Sequence, residues 1–460
     1  MVISNGAVPT EGVFSILDTD LYKITMQCAV LRYFADVPVK YRFTNRTPQM
    51  QLSRRAFRWL QTQVASLANV RATDEELRWL TKTCPYLDLE YLKYLRAFTF
   101  RPKDHVRLDF NPNSEHGGDD VQGELHLDVQ GPWVETILYE IPLLALVSEA
   151  YFKFLDTDWS HDGQVENAEE KGLKLIQNGC AFSEFGSRRR RDYKTHEMVL
   201  QGLVGAQKEA DSNGLGWTGK FSGTSNVHMA MKFGVTPIGT VAHEWFMGIA
   251  ALKDDYAGAN ETALQYWTGT FGRGVLSIAL TDTFGTPAFL RSFRRPTPKR
   301  GTTNTQEEGQ DPSYAEIFTG VRQDSGDPLE YIKMLKQFYH DHGINDKKVI
   351  VFSDALNVEK CIKYKHATDE AGLTPSFGIG TFLTNDFKHV KGNEANKAGS
   401  KSAPLNIVIK LSEAQGRPAI KLSDDKGKNT GSDELVERIK REVGYEEKIW
   451  SGGDERHRWD

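Results

Sequence analysis

Cysteine is scarce in this chain. Cys28, Cys84, Cys180 and Cys361 are scattered over 460 residues with no C-x-x-C pair, which excludes a disulfide framework and a zinc knuckle and fits a reducing compartment. Long apolar runs are missing too: no stretch reaches the ~18 residues of a membrane span. Residues 1–10 lack the charged and apolar regions of a secretion signal. The expectation is a soluble cytoplasmic protein, or a nuclear one if the source is eukaryotic. Charge of one sign is not in excess either. The 57 basic and 62 acidic residues leave a net −5, which gives no reason to expect a nucleic-acid partner. With 39% hydrophobic and 26% charged residues, a large core is within reach and wholesale disorder is not expected.

Several catalytic signatures are absent. His243-Glu244 opens an H-E-x-x-H pattern, but the second ligand position holds Met247, so the zinc-protease reading fails. Gly219-Lys220-Phe221-Ser222-Gly223 has its serine in the wrong place for a nucleophile elbow. No P-loop pattern stands between a strand and a helix.

What is present is one phrase repeated: an apolar strand, then polar residues, then a helix. Residues 238–241 read as a short strand with His243 at its exit and a helix over 245–252. Downstream, residues 275–281 run into Asp282, 317–321 into Arg322-Gln323-Asp324-Ser325-Gly326-Asp327, 348–353 into Asp354, and 375–380 into Thr381. Upstream, 180–184 lead to Phe185-Gly186-Ser187-Arg188, and 219–222 to Gly223-Thr224-Ser225-Asn226. Such alternation predicts parallel β/α units. Seven strand ends bearing polar groups predict the active rim of a β/α barrel.

The first part has another texture. Residues 17–20 offer N-capping oxygens to a helix over 21–34, with Tyr22 in its first turn. Strands are expected at 39–44 and 123–131, helices at 53–67 and 74–83, and one buried helix over 133–154 opened by Pro132. Residues 405–411 and 417–422 read as a hairpin around Gln415-Gly416 that returns to the N-terminal domain. The expected fold is therefore α/β. An N-terminal α/β domain, 1–145, is joined by 382–460, and an irregular β/α barrel, 146–381, carries an inserted loop at 291–313. A second irregular loop is expected at 394–404.

Some candidate sites follow from the residues alone. Thr224 and Ser225, and likewise Gly378, Gly380 and Thr381, follow a strand with small residues that let backbone N–H groups approach an anion. Of the run Arg188 to Arg191, Arg188 is expected at the site and the other three on the surface. Asp324, Ser325, Gly326 and Asp327 form a turn suited to ribose hydroxyls or a magnesium-bound diphosphate. Arg322 offers a fork to a carboxylate or phosphate.

Taken together, Asp18-Thr19-Asp20-Leu21-Tyr22-Lys23, Phe185-Gly186-Ser187-Arg188, Gly223-Thr224-Ser225-Asn226, Gly239-Thr240-Val241-Ala242-His243, Arg322 to Asp327 and Gly378-Ile379-Gly380-Thr381 resemble the nicotinate phosphoribosyltransferase family, closest to its fungal and proteobacterial-type enzymes. The resemblance runs from about residue 14 to 390. It implies synthesis of nicotinate mononucleotide and pyrophosphate from nicotinate and phosphoribosyl pyrophosphate, in NAD salvage, with magnesium and with ATP as co-substrate. His243 would become phosphohistidine. Tyr22, from the partner subunit of a homodimer with shared active sites, and Phe185 would sandwich the pyridine ring. Arg322 and Thr240 would hold nicotinate. Asp282, Asp324 and Asp354 would surround the ribose and the magnesium diphosphate, with magnesium held mainly by the diphosphate. Gly380 and Thr381 would hold the 5′-phosphate.

Relatives that use nicotinamide place an aspartate near the ring, and Gly223-Thr224-Ser225-Asn226 has none. Nicotinamide phosphoribosyltransferase is the nearer alternative. A phosphosugar-binding barrel lyase or isomerase with His243 as acid–base residue is the more distant one; its Schiff-base form would have only Lys220 near a strand end.

Overall fold

A computed structural model of the protein describes residues 11–298, 311–392, 396–425 and 429–446. The leader at 1–10, the middle of the 291–313 insertion, the start of the 394–404 loop and the tail from 447 lie outside the described residues.

The N-terminal region builds an antiparallel sheet from β1 (Pro38–Asn45), β2 (Leu52–Ser53), β3 (Val106–Pro112) and β4 (Gln122–Pro132). β1 alternates as its sequence predicts, burying Val39, Tyr41 and Phe43 and exposing the residues between them. The long apolar run after Pro132 is buried, as expected, but it is not one helix. A short helix, Trp133–Thr136, and a tight turn, Ile137–Tyr139, precede the helix Glu140–Phe154. Pro142 explains the restart. It has no N–H to donate, so it is tolerated in the first turn of a new helix and not in the interior of an old one. The break sets Glu140 at a helix start.

Residues 181–379 supply β5 (Ala181–Glu184), β6 (Lys220–Thr224), β7 (Ile278–Leu280), β8 (Gly320–Gln323), β9 (Val349–Phe352) and β10 (Thr374–Ile379), all paired in parallel in the order β6-β5-β10-β9-β8-β7. Six of the seven expected strands are present. The seventh, at 238–241, is not a strand. It touches β6 through one bridge, Thr224 to Pro237, and the hydrogen bond from Ile238 N–H to the Thr224 carbonyl. Helix Leu21–Tyr33 lies against it instead: Thr25 Oγ1 donates to the Thr240 carbonyl at 2.7 Å. The barrel is therefore irregular, open in its sheet between β6 and β7 and filled there by the N-terminal helix and residues 238–242.

After β11 (Phe387–Lys388) and β12 (Lys401–Ser402), the chain returns to the first sheet. β13 (Ile407–Ala414) pairs antiparallel with β1, from Val39 opposite Ala414 to Asn45 opposite Ile407, and turns through Gln415-Gly416 into β14 (Arg417–Pro418). Both turn residues have positive φ, 52° and 76°, as a two-residue hairpin requires. The first strand is longer than expected and the second shorter.

The arginine run corrects another expectation. Arg190 and Arg191 are buried, not on the surface. Arg190 grips both oxygens of Asp18 at 2.7 and 2.6 Å. Arg191 donates to Asn385 and Ser402 and lies over the rings of Phe152 and Phe387. Burial works against ionised Asp18, but Arg190 holds its carboxyl down to about 2. Asp20 stands at the N-cap position without capping; its carboxylate accepts from Ser187 and Ser225 instead.

Candidate active site

Ala242 ends the irregular stretch with extended backbone, and His243 opens the helix His243–Lys253. Its ring is fixed at both nitrogens. Nδ1 lies 3.0 Å from Thr283 Oγ1, just past β7, and Nε2 lies 3.0 Å from Asp324 Oδ2, just past β8. Nε2 also stands 2.9 Å from Lys421 Nζ and 3.9 Å from Asp282 Oδ1. The side chain is only 16% exposed, yet it faces a cavity of about 100 Å³ that it shares with Tyr22, Glu140, Arg188, Arg322, Asp324 and Lys421. Burial, then the Lys421 ammonium, push the imidazole below its ordinary value despite the two aspartates. Burial opposes ionised Asp324, but Arg322 first, then His243 and Lys421, hold its carboxyl well below the usual range.

Arg322, on the last turn of β8, is anchored in three directions. Nε donates to Ser353 Oγ at 2.8 Å, one terminal nitrogen to Asp324 Oδ1 at 2.8 Å, and the other approaches the Val241 carbonyl at 3.5 Å. A guanidinium has five N–H donors, so its fork is held rigidly and still has capacity for an anion. Arg322 and Arg188 border all three adjoining cavities. One is the His243 cavity. The second, of about 80 Å³, is lined by Tyr22, Phe185, Gly239 and Thr240. The third, of about 230 Å³, is lined by Phe185, Ser353, Lys360, Gly378, Gly380 and Thr381. Tyr22 of this same chain lines the first two.

Other candidates are placed differently from expectation. Thr224 is buried, donating to Glu184, and Ser225 donates to Asp20; Asn226 caps the helix Val227–Phe233 through the Met229 N–H. That segment has the geometry of a capped helix start, and only Ser225 reaches a cavity wall. Ser325 and Gly326 turn away from His243. Ser325 donates to Asp282, and both line a separate cavity of about 560 Å³ that Asp424 and Tyr445 also border. Asp354 is half-buried, while its neighbours Ser353 and Ala355 line the third cavity. Gly378 matters for a reason the anion reading omits: a Cβ there would stand 2.2 Å from the Phe185 ring.

Asp282, Asp324 and His243 bring ligand atoms within 4.8 Å of one another. Asp282 Oδ1 is buried and without a hydrogen-bond partner. Magnesium takes oxygen ligands, commonly one or two carboxylates with phosphates and waters completing its shell. The two aspartates fit that donor set; the imidazole does not belong to it.

Lys421, Thr283, Ser353 and Glu140 belong to the site and were not singled out in the sequence. Lys421 carried a weak signal, since the short apolar run Ala419-Ile420-Lys421-Leu422 is followed by Ser423-Asp424-Asp425, much as the barrel strands run into polar residues. Its assignment to a hairpin of the other domain hid it.

Residues 180–447 match the nicotinate phosphoribosyltransferase (NAPRTase) family, and residues 17–148 match that family's N-terminal domain. Nicotinate phosphoribosyltransferase of Saccharomyces cerevisiae is 46% identical over 447 residues, covering 97% of this chain and 98% of that protein. A Saccharomyces cerevisiae crystal structure described under the same activity superposes with a TM-score of 0.85 at 44% identity, covering 96% of this chain and all of that one. The Vibrio cholerae nicotinate phosphoribosyltransferase structure gives 0.79 at 32% identity, covering 96% of each chain. With its six-stranded parallel sheet, its completed N-terminal domain and these matches along nearly its whole length, the chain belongs to the nicotinate phosphoribosyltransferase family.

Proposed function

We propose that the chain joins nicotinate to the ribosyl C1 of phosphoribosyl pyrophosphate, releasing pyrophosphate and forming nicotinate mononucleotide for NAD synthesis, with ATP hydrolysis coupled through His243. One observation carries the reading: Arg322 reaches both the cavity walled by Tyr22 and Phe185 and the cavity that holds His243. A guanidinium anchored on three sides suits a carboxylate on a flat ring between two aromatic side chains. The pyridine nitrogen attacks C1 as the bond to the diphosphate oxygen breaks. Asp282 and Asp324 stabilise the positive charge that develops on the ribose.

Magnesium, when bound with the diphosphate at these carboxylates, neutralises the leaving group. The third cavity, with Lys360, Gly380 and Thr381 on its wall, is assigned to the 5′-phosphate. His243, kept below its ordinary pKa, presents a neutral imidazole at pH 7, the form that takes a phosphoryl group from ATP. Asp20 also borders the ring cavity, but the Ser187 and Ser225 hydroxyls are directed at it.

The test is a product assay with phosphoribosyl pyrophosphate, magnesium and ATP, run once with nicotinate and once with nicotinamide, scored for pyrophosphate and ADP. Nicotinate should react and nicotinamide should not. Equal rates with the two pyridines would overturn the acid specificity, and ADP release by His243→Ala at the parent rate would overturn the coupling. Replacing Arg322 with alanine removes a charge-assisted pair worth about 1.5–3 kcal/mol and should raise the nicotinate KM roughly tenfold or more.

A further inference from the structure

We propose that Lys421 is a positioning residue for the His243 nucleophile. Its ammonium selects the tautomer whose lone pair is on Nε2, then follows the phosphoryl group onto that nitrogen. The inference rests on the phosphohistidine reading above.

A neutral imidazole has one N–H and one lone pair, and Nε2 faces two groups with opposite demands. Lys421 Nζ, at 2.9 Å, is a donor only, and the ionised Asp324 Oδ2, at 3.0 Å, is an acceptor only. The Thr283 hydroxyl at Nδ1 serves either tautomer. With the proton on Nε2 the ring satisfies Asp324 and opposes the ammonium, and that nitrogen is no nucleophile. With the proton on Nδ1, donated to Thr283, the Nε2 lone pair accepts from Lys421. Asp324 keeps its bonds from Arg322 and Ser353 at Oδ1, each 2.8 Å long, and gives up only the ring's proton at Oδ2. Only this second state can attack phosphorus through Nε2; in the other, the lone pair is on Nδ1, turned to Thr283.

The backbone fixes the lysine where this choice is made. Leu422 N–H donates to the Thr283 carbonyl at 2.9 Å, so one threonine holds both the ring and the strand beside it. Asp424 N–H donates to Ser325 Oγ, and Asp425 accepts from Gly326 N–H, both at 2.9 Å. The turns that carry Asp282 and Asp324 therefore also carry Lys421. In the transfer step the Nε2 lone pair forms the N–P bond to the γ-phosphorus of ATP. The P–O bond to ADP breaks with its electron pair on ADP, and the Nδ1 proton remains against Thr283. The ammonium swings from the lone pair to a phosphoryl oxygen.

The experiment incubates the full chain with γ-labelled ATP and magnesium and follows acid-labile, base-stable phosphate with time. Lys421→Met should slow phosphoenzyme formation about a hundredfold, the scale of losing one preorganised donor. The ATP KM should change by only about threefold, because the lost contact is made mainly during transfer. Lys421→Arg, which keeps charge and reach, should recover most of the rate, and Lys421→Gln, which removes the charge, should stay slow and carries the test if the methionine variant does not fold. Labelling of the methionine or glutamine variant at the parent rate, or a loss carried by KM alone, would overturn the role of Lys421. Absence of label on the parent protein would instead overturn the phosphohistidine reading, and this inference with it.

Discussion

The Phe185 ring rests on the bare backbone of Gly378, where a methyl group would stand 2.2 Å from it. Gly378→Ala should therefore displace a ring wall and raise the nicotinate KM, while the melting temperature changes little, because the ring has an open cavity to move into. Steady-state kinetics and a thermal melt check the two halves separately. Asp424 gives a pH prediction. Burial first, then Asp282, push its carboxyl up from 3.8 to about 7. Across that window the folded state holds a proton that the unfolded chain has released, so this group's contribution to stability falls as pH rises. Asp424→Asn should gain melting temperature relative to the parent on going from about pH 5 to about pH 8. A difference that does not change with pH would remove the shift.

Residue-scale reading of the sequence singled out His243, Arg322, Asp282, Asp324 and Phe185 by residue type at the ends of apolar runs, and Tyr22 by its place in the first turn of a helix; the structure gathers them around adjoining cavities. It missed the burial of Arg190 and Arg191. Four consecutive arginines carry no sign that Asp18, 172 residues away, and Ser402, 211 away, will receive two of them. Partners at that separation decide burial, and no local pattern encodes them.

At the scale of elements, periodicity found β1, β4 and the six paired barrel strands, but it missed β3, several long helices such as Gln164–Gln177 and Tyr193–Ser212, and the gap in the parallel sheet. Residues 238–241 have strand composition, and a helix from the other end of the sequence replaced the pairing they would have made. Gly239 is the tightest point of that arrangement, since a Cβ would lie 3.1 Å from the Tyr22 amide nitrogen and 3.3 Å from Leu21 Cβ. Gly239→Ala should push the start of helix Leu21–Tyr33 away, lowering turnover and raising the nicotinate KM together. A variant with parent kinetics would show that Tyr22 does not depend on this contact. The restart at Glu140 followed from Pro142 and was legible in principle; unbroken hydrophobicity around it obscured the break.

For the molecule as a whole, one chain supplies Tyr22, His243, Arg322 and Lys421 to a single cavity. A mixture of Tyr22→Ala and His243→Ala proteins should regain no activity, measured in the product assay. Recovered turnover would mean that subunits exchange the N-terminal helix. β13 pairs with β1 in the N-terminal sheet and also lines the His243 cavity through Val408 to Leu411, so stability and activity should fail together. Leu411→Ala, in the buried face of β13, should cost about 2–4 kcal/mol and bring tryptophan fluorescence and enzymatic activity down over the same denaturant range.

The order in which a ribosome delivers this chain gives the β1–β13 pairing a further meaning. β1 finds β4 early, but its other neighbour, β13, begins only at residue 407, and Lys421 arrives later still. The strand that completes the pairing of β1 and the ammonium at His243 are thus both supplied from beyond residue 406, so the site forms only when distant parts of the chain have met.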